Sequence, residues 1–168
     1  MFDMISGIYS LFYGYQQDRF RDAVSVAKPR FDISAYESAL DVGCGNGALC
    51  SVFAENGLKM TGVDHSTKMI EKAKLKNGET TIEFLYADAL KGLPFDDDSF
   101  DFSIASYVAH GLVSEERKKL LYEMRRVSKS YVILHEFSKQ RKLATDFIEW
   151  LEGGNYFDFI KNKDNKST

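Results

Sequence analysis

The stretch Ala39-Leu40-Asp41-Val42-Gly43-Cys44-Gly45-Asn46-Gly47 governs the reading of this chain. A short apolar run enters a turn in which three glycines alternate with Cys44 and Asn46, the pattern of a strand passing into a helix. Glycine takes positive φ at little cost and lets bare backbone approach a ligand, so Gly43, Gly45 and Gly47 point to a loop that cradles one. A second strand-like run, Leu58-Lys59-Met60-Thr61-Gly62-Val63, ends at Asp64, 23 residues after Asp41. A carboxylate at that place accepts hydrogen bonds from ribose hydroxyls. A third acid, Asp88, closes the next segment. Together these residues read as a nucleotide-type cofactor site.

The acids separate the cofactors. A dinucleotide carries a pyrophosphate, which carboxylates at three strand ends would repel. S-adenosylmethionine carries a sulfonium, an ammonium, ribose hydroxyls and an adenine amino group, all of which an ionised Asp attracts or accepts from. Around Asp41, Gly43, Gly45 and Gly47 the chain resembles the class I S-adenosylmethionine-dependent methyltransferases and their D-x-G-x-G-x-G loop. The resemblance spans roughly residues 36–137, through Val63-Asp64-His65-Ser66, Tyr86-Ala87-Asp88-Ala89, Leu93-Pro94-Phe95 to Asp101, and Leu121 to Val127. It is closest to the small-molecule methyltransferases of ubiquinone and menaquinone synthesis. It implies S-adenosylmethionine as cofactor, held by Asp41, Gly43, Cys44, Gly45, Gly47, Asp64, His65, Asp88, Ala89 and Ser106, with Tyr9 reaching in from the N-terminal segment. It also implies an enzyme that aligns an acceptor with an already activated methyl group and excludes water. His110, four residues beyond Ser106, is the first candidate for a catalytic base, and His135 and Glu136 come second.

Composition bounds the partners. The chain has 168 residues, 44% hydrophobic and 28% charged, with a net charge of −3. That suits one domain over residues 1–168, burying ~70% of its unfolded surface. Residues 1–110 hold 16 acids against 10 bases, and residues 111–168 hold 9 against 12. An acidic cofactor half suits a cationic ligand, and no concentrated basic patch marks a nucleic-acid binder. A small-molecule acceptor is therefore expected. Cys44 and Cys50 are too few for a disulfide framework and lack metal-site spacing, and Asp96-Asp97-Asp98 reads as a solvated loop, so no metal is expected. A reduced, cytoplasmic protein follows. The apolar N-terminus, broken by Asp3, Gly7, Gly14 and Gln16, reads neither as a signal peptide nor as a membrane span.

Strand and helix signals alternate at the pace of βαβ units. Strands are expected near 38–43, 58–63, 81–86, 100–106 and 130–136, and helices near 47–56, 66–77, 114–128 and 138–151. Ser66, Ser114 and Ser138 stand at N-cap positions, and Leu120, Leu121, Met124 and Val127 form the buried stripe of the third helix. The fold class is α/β: a three-layer, doubly wound Rossmann-like sandwich on a mostly parallel sheet. Residues 1–30 form a helical lid, with Ile5, Tyr9, Phe12 and Tyr13 on one face, 36–137 the cofactor-binding core, and 138–168 a helix and polar tail. In such a sheet the ligand lies outside the carboxyl ends of the strands, where Gly43, Asp64, Asp88, Ser106 and Glu136 are expected.

Two departures from the family pattern stand out. Ser128-Lys129-Ser130 replaces the usual Lys-Pro-Gly-Gly turn, which shortens the entry to the fifth strand. Only 31 residues follow Phe137, and they carry no strand pair, so a sheet of order 3-2-1-4-5 lacking the sixth and seventh strands is expected. Its apolar edge, Tyr131-Val132-Ile133-Leu134, is covered either by Phe147 to Ile160 or by a second copy in a homodimer. Two other functions fit parts of the chain. The shortened sheet suits a cofactor-binding subunit without activity, and Gly43-Cys44-Gly45-Asn46-Gly47-Ala48 also satisfies the G-x-G-x-x-A fingerprint of an NAD(P)-dependent oxidoreductase.

Overall fold

The computed structural model describes residues 12–78 and 80–136. Helix α1 (Tyr13–Ala27) leads through a short 3-10 turn into β1 (Ser38–Val42), and α2 (Ala48–Glu55), β2 (Lys59–Asp64), α3 (Thr67–Asn77) and β3 (Glu83–Tyr86) follow. A long loop then enters β4 (Phe100–Ser106), α4 (Ser114–Val127) and β5 (Ser128–His135). All five strands are parallel, in the order β3-β2-β1-β4-β5. The expected order and class are thus observed. The sixth and seventh strands, the C-terminal helix with its Ser138 cap, and any cover for the β5 edge concern residues outside those described.

Alternation along the central strands makes the layers. Ala39, Met60, Phe84, Phe102 and Ile104 pack on one face of the sheet beneath Leu49, Val52 and Phe53 of α2, Ile70 and Ala73 of α3, and Phe20 and Val24 of α1. Leu40, Val42, Val63 and Ala105 face the other way onto Leu120, Met124 and Val127 of α4. Successive residues of a strand point to opposite faces, so two apolar sets on one strand require helices on both sides. Asp41 falls between Leu40 and Val42 and therefore points to the α2 side, which is where its partner Cys50 lies.

Three local expectations are corrected. Leu121 is 38% exposed and leaves the α4 stripe, because the stripe follows 120, 124 and 127 while 121 rotates toward solvent. Ser114 is the first residue of α4 rather than its cap: Val113 is the N-cap, and Glu116 reaches back to accept from the Val113 amide at 3.1 Å. Strand β5 starts at Ser128, with no loop after α4. The buried Ser128 hydroxyl donates to the Met124 carbonyl at 2.6 Å and lies 2.8 Å from Ser103 Oγ, tying the end of the helix directly to β4. Ser66 does cap α3, its hydroxyl accepting from the Met69 amide at 3.4 Å.

Candidate active site

Register sets the site. Asp41 stands opposite Gly62 and Ile104, Asp64 opposite Tyr86, and Ser106 opposite His135, so the strand ends form one rim. At that rim lies a cavity of about 290 Å³. Eight residues singled out from sequence line it: Asp41, Gly43, Cys44 and Gly45 at the first turn, Asp64 and His65 after β2, and Ser106 and His110 after β4. Gly47, Asp88 and Ala89 do not. Asp88 turns into its own loop, accepting from the Leu90 amide at 3.0 Å and facing Lys91 Nζ at 3.2 Å. Burial works against its charge, yet that amide and that lysine hold its carboxyl below the usual range. Tyr9 lies outside the described residues.

The three glycines of the turn do different things. All have positive φ, at 79°, 54° and 80° for Gly43, Gly45 and Gly47. A Cβ on Gly43 would sit 2.5 Å from Val108, and one on Gly47 would sit 2.6 Å from Asn77 Nδ2 and 2.7 Å from Phe84. Those two glycines admit close packing. A Cβ on Gly45 would meet nothing within 4 Å, because it would enter the cavity. The Gly43 and Cys44 amides both donate to the Val63 carbonyl, at 2.8 and 2.9 Å, and lock the turn onto the end of β2. Asp64 completes the clamp, accepting from the Gly45 amide at 2.9 Å and the Ser66 amide at 2.8 Å.

Asp41 is 1% exposed. Its Oδ2 accepts a weak bond from Cys50 Sγ at 3.4 Å, and its Oδ1 has no hydrogen-bond partner among the described residues. Burial, reinforced by the negative charge of Asp64 and opposed by the Cys50 bond, pushes its carboxyl up to about 7. Burial also drives the Cys44 and Cys50 thiols well above their usual value, which rules out a ready nucleophile at either. An orphaned buried acceptor beside a second carboxylate suits a cation, a donor or a proton.

Across the cavity two histidines are held by β5 and its exit. Glu136 accepts from the Ala109 amide at 2.8 Å and faces His110 Nδ1 at 3.0 Å, and both side chains are under 10% exposed (6% for His110, 8% for Glu136). An ionised carboxylate only accepts, so Nδ1 carries the proton and Nε2 is the basic nitrogen. His135 Nδ1 lies 2.8 Å from Ser106 Oγ, and its ring packs 4.8 Å from Tyr107 and 5.9 Å from Phe20. Burial lowers its proton affinity, which suits a neutral structural ring. Tyr107 has a φ of 58°, an uncommon setting for a side-chain-bearing residue, held by its amide bond to the His135 carbonyl at 2.8 Å.

Beside Tyr13, which the sequence placed on the lid face, helix α1 supplies residues that sequence reasoning missed. Tyr13, Gln17 and Arg21 recur every four residues and bond Asn77, Ser51 and Glu55, at 3.0, 2.9 and 3.0 Å. Gln16 and Phe20, on the adjoining row, line the cavity, and Gln16 accepts from Asn46 at 2.7 Å. The signal was present as i, i+4 spacing one turn beyond the aromatic face that sequence emphasised.

Fold and rim together define a Rossmann-like domain with a cavity at the switch point of its sheet, a place suited to an adenosyl cofactor. The acids fit S-adenosylmethionine and not a pyrophosphate: Asp41 and Asp64 face the cavity, and the Gly45 amide that a phosphate would need is already bonded to Asp64. Residues 40–134 match the family model described as Methyltransferase domain, more than half of the chain. The protein belongs to that family, whose methyl donor is S-adenosylmethionine.

Among its relatives, the chain is 36% identical to demethylmenaquinone methyltransferase of Clavibacter sepedonicus over 107 residues, covering 62% of this chain and 42% of that one. It is 40% identical to the ubiquinone biosynthesis O-methyltransferase of Saccharophagus degradans over 52 residues, 31% of this chain and 22% of the other. A solved S-adenosylmethionine-dependent methyltransferase of Methanosarcina mazei superposes with a TM-score of 0.57 at 29% identity, covering 70% of this chain and 60% of that one. The chain therefore spans less than half the length of these two curated relatives.

Proposed function

We propose that the protein is an S-adenosylmethionine-dependent methyltransferase acting on a small acceptor with an ionisable hydroxyl. The observation that carries this reading is the orphaned Asp41 oxygen at a cavity floored by the bare Gly45 backbone. Asp41 would hold the cofactor's cationic end, Asp64 its ribose hydroxyls, and Gly45 the close backbone approach. Bound there, S-adenosylmethionine supplies a methyl group already activated by its sulfonium. The remaining work falls on the protein's own residues. His110 Nε2, kept basic by Glu136 on the opposite nitrogen, takes the proton from an acceptor hydroxyl as that oxygen becomes the nucleophile. Gln16 and Phe20 of α1 narrow the entrance and exclude water, the lid role expected of residues 1–30. Relatives named for demethylmenaquinone and ubiquinone biosynthesis support a ring-bearing acceptor of that general kind.

The same reading extends to the setting. Among the described residues no helix is long and apolar enough to cross a membrane, and the acidic cofactor half argues against nucleic acid. We place the protein in the cytoplasm. Tyr131 and Leu134, 50% and 42% exposed on the β5 edge, support a homodimer through that edge.

Calorimetric titration with S-adenosylmethionine and S-adenosylhomocysteine, beside NAD and NADP and repeated on Asp64→Ala, tests the assignment. Loss of one charged hydrogen-bonding partner should weaken adenosyl binding about 10- to 150-fold. Binding of NAD alone, or of nothing by folded protein, would sink the proposal. Tight adenosyl binding with no turnover of any hydroxylated acceptor would leave a binding subunit.

A further inference from the structure

We infer that Asp41 holds a proton while the cavity is empty and surrenders it as the cationic cofactor approaches its unpartnered oxygen, so that cofactor binding and one deprotonation are a single event. This rests on the cofactor assignment above and goes beyond it.

The surroundings of Asp41 carry the inference. From α2, the Cys50 thiol is the one donor to Asp41 among the described residues, and sulfur donates weakly. From β2, Asp64 adds a like charge, and the neighbouring Cys44 thiol in the turn is itself held neutral by burial. Beyond β4, Ser106, Tyr107 and His110 line the same cavity, His65 stands at its rim, and α1 contributes Gln16 and Phe20. Among the described residues no lysine or arginine lines the cavity. A carboxylate buried to 1% exposure, with one weak donor and a carboxylate neighbour, is more stable protonated near neutrality. Its carboxyl is accordingly pushed up to about 7. An ammonium or sulfonium placed against Oδ1 reverses the preference, since an opposite charge within ~4–6 Å lowers a carboxylate by about 1–3 units.

The consequence is a pH-gated affinity. Binding favours the deprotonated form, so apparent affinity should rise about three- to fivefold from pH 6 to 7 and less than twofold from pH 7 to 8. Calorimetry at pH 6.0 in buffers of different ionisation heat counts the protons directly. At that pH the ligand's own α-amino group is already charged, since such groups titrate near ~8, and it takes up nothing. S-adenosylmethionine should release about 0.4–0.9 proton per site, the difference between the share of Asp41 protonated one unit below its midpoint and the share left protonated after a ~1–3 unit drop. Neutral methylthioadenosine, which keeps the nucleoside but has neither ammonium nor sulfonium, should release none. Asp41→Asn should abolish the release and flatten the pH dependence of affinity. If that variant does not fold, Cys50→Ala serves instead: losing the thiol that bonds the charged form should move the midpoint of the binding profile to higher pH. Release below ~0.2 proton with tight binding at pH 6.0 would overturn the inference alone. Equal release with methylthioadenosine would do the same. Absence of any adenosyl binding would overturn the cofactor assignment, and this inference with it.

Discussion

Gly45→Ala and Gly47→Ala differ by two positions and should fail in opposite ways. Both glycines have positive φ, which costs a side-chain-bearing residue about 1–2 kcal/mol. At Gly47 the new methyl also meets Asn77 Nδ2 at 2.6 Å and Phe84 at 2.7 Å. Neither neighbour can swing aside, because Asn77 donates to the Ala73 carbonyl at 2.8 Å and accepts from Tyr13 at 3.0 Å, while Phe84 is buried in the core. Overpacking of this kind adds about 1–3 kcal/mol, for a total of roughly 2–5 kcal/mol. At ~2–4 °C per kcal/mol, the Tm of Gly47→Ala should fall by about 4–20 °C. Gly45→Ala bears only the conformational cost and should lose about 2–8 °C. Its methyl instead occupies ligand space, and the same 1–3 kcal/mol of overlap should weaken S-adenosylhomocysteine binding about 5- to 150-fold. Thermal unfolding followed by circular dichroism, with calorimetric titration on the same samples, reads both effects. Wild-type affinity in Gly45→Ala would show that the open space before it is not the ligand's place. Equal Tm values for the two variants would refute the packing argument.

Two further outcomes follow from the acids. Glu136→Gln keeps an acceptor for the Ala109 amide but removes the charge facing His110, so turnover of a hydroxylated acceptor should fall about 10- to 100-fold with cofactor affinity unchanged. The acidic limb of kcat/KM against pH should move to lower pH, because the imidazolium loses its partner; an unshifted limb would remove Glu136 from the mechanism. Asp41 gives the second. Its proton is bound more tightly in the folded chain than in the unfolded one, so its contribution to stability is full below pH ~4 and is lost as pH rises through about 7. Urea unfolding of the ligand-free protein should show wild type losing up to roughly 4 kcal/mol relative to Asp41→Asn across that range. A constant difference would mean that Asp41 is charged throughout.

The sheet was legible because its causes are local. Two apolar sets alternating along each central strand, helix signals between strands and glycines at one turn specify parallel βαβ winding whatever lies farther away. On that basis Gly43, Asp64, Asp88, Ser106 and Glu136 are expected at strand ends; Gly43, Asp64 and Ser106 line one cavity, and Asp88 and Glu136 do not. What escaped the linear reading depends on where separate segments meet. Gly43, Gly45 and Gly47 look alike in sequence, and only Val108, Asn77 and Phe84, brought in from elsewhere, distinguish two packing glycines from one that faces open space at the cavity. Leu121 matches its neighbours in polarity but lies on the wrong side of α4. Asp88 belongs to the motif yet spends its hydrogen bonds on Leu90 and Lys91. The His110–Glu136 and Ser106–His135 pairs join residues 26 and 29 positions apart, and they exist because β4 and β5 run parallel in a register that sets Ser106 beside His135. Sequence specifies which groups a strand end presents. Register and burial then settle which of them touch, and which atom, like Oδ1 of Asp41, is left without a partner among the described residues.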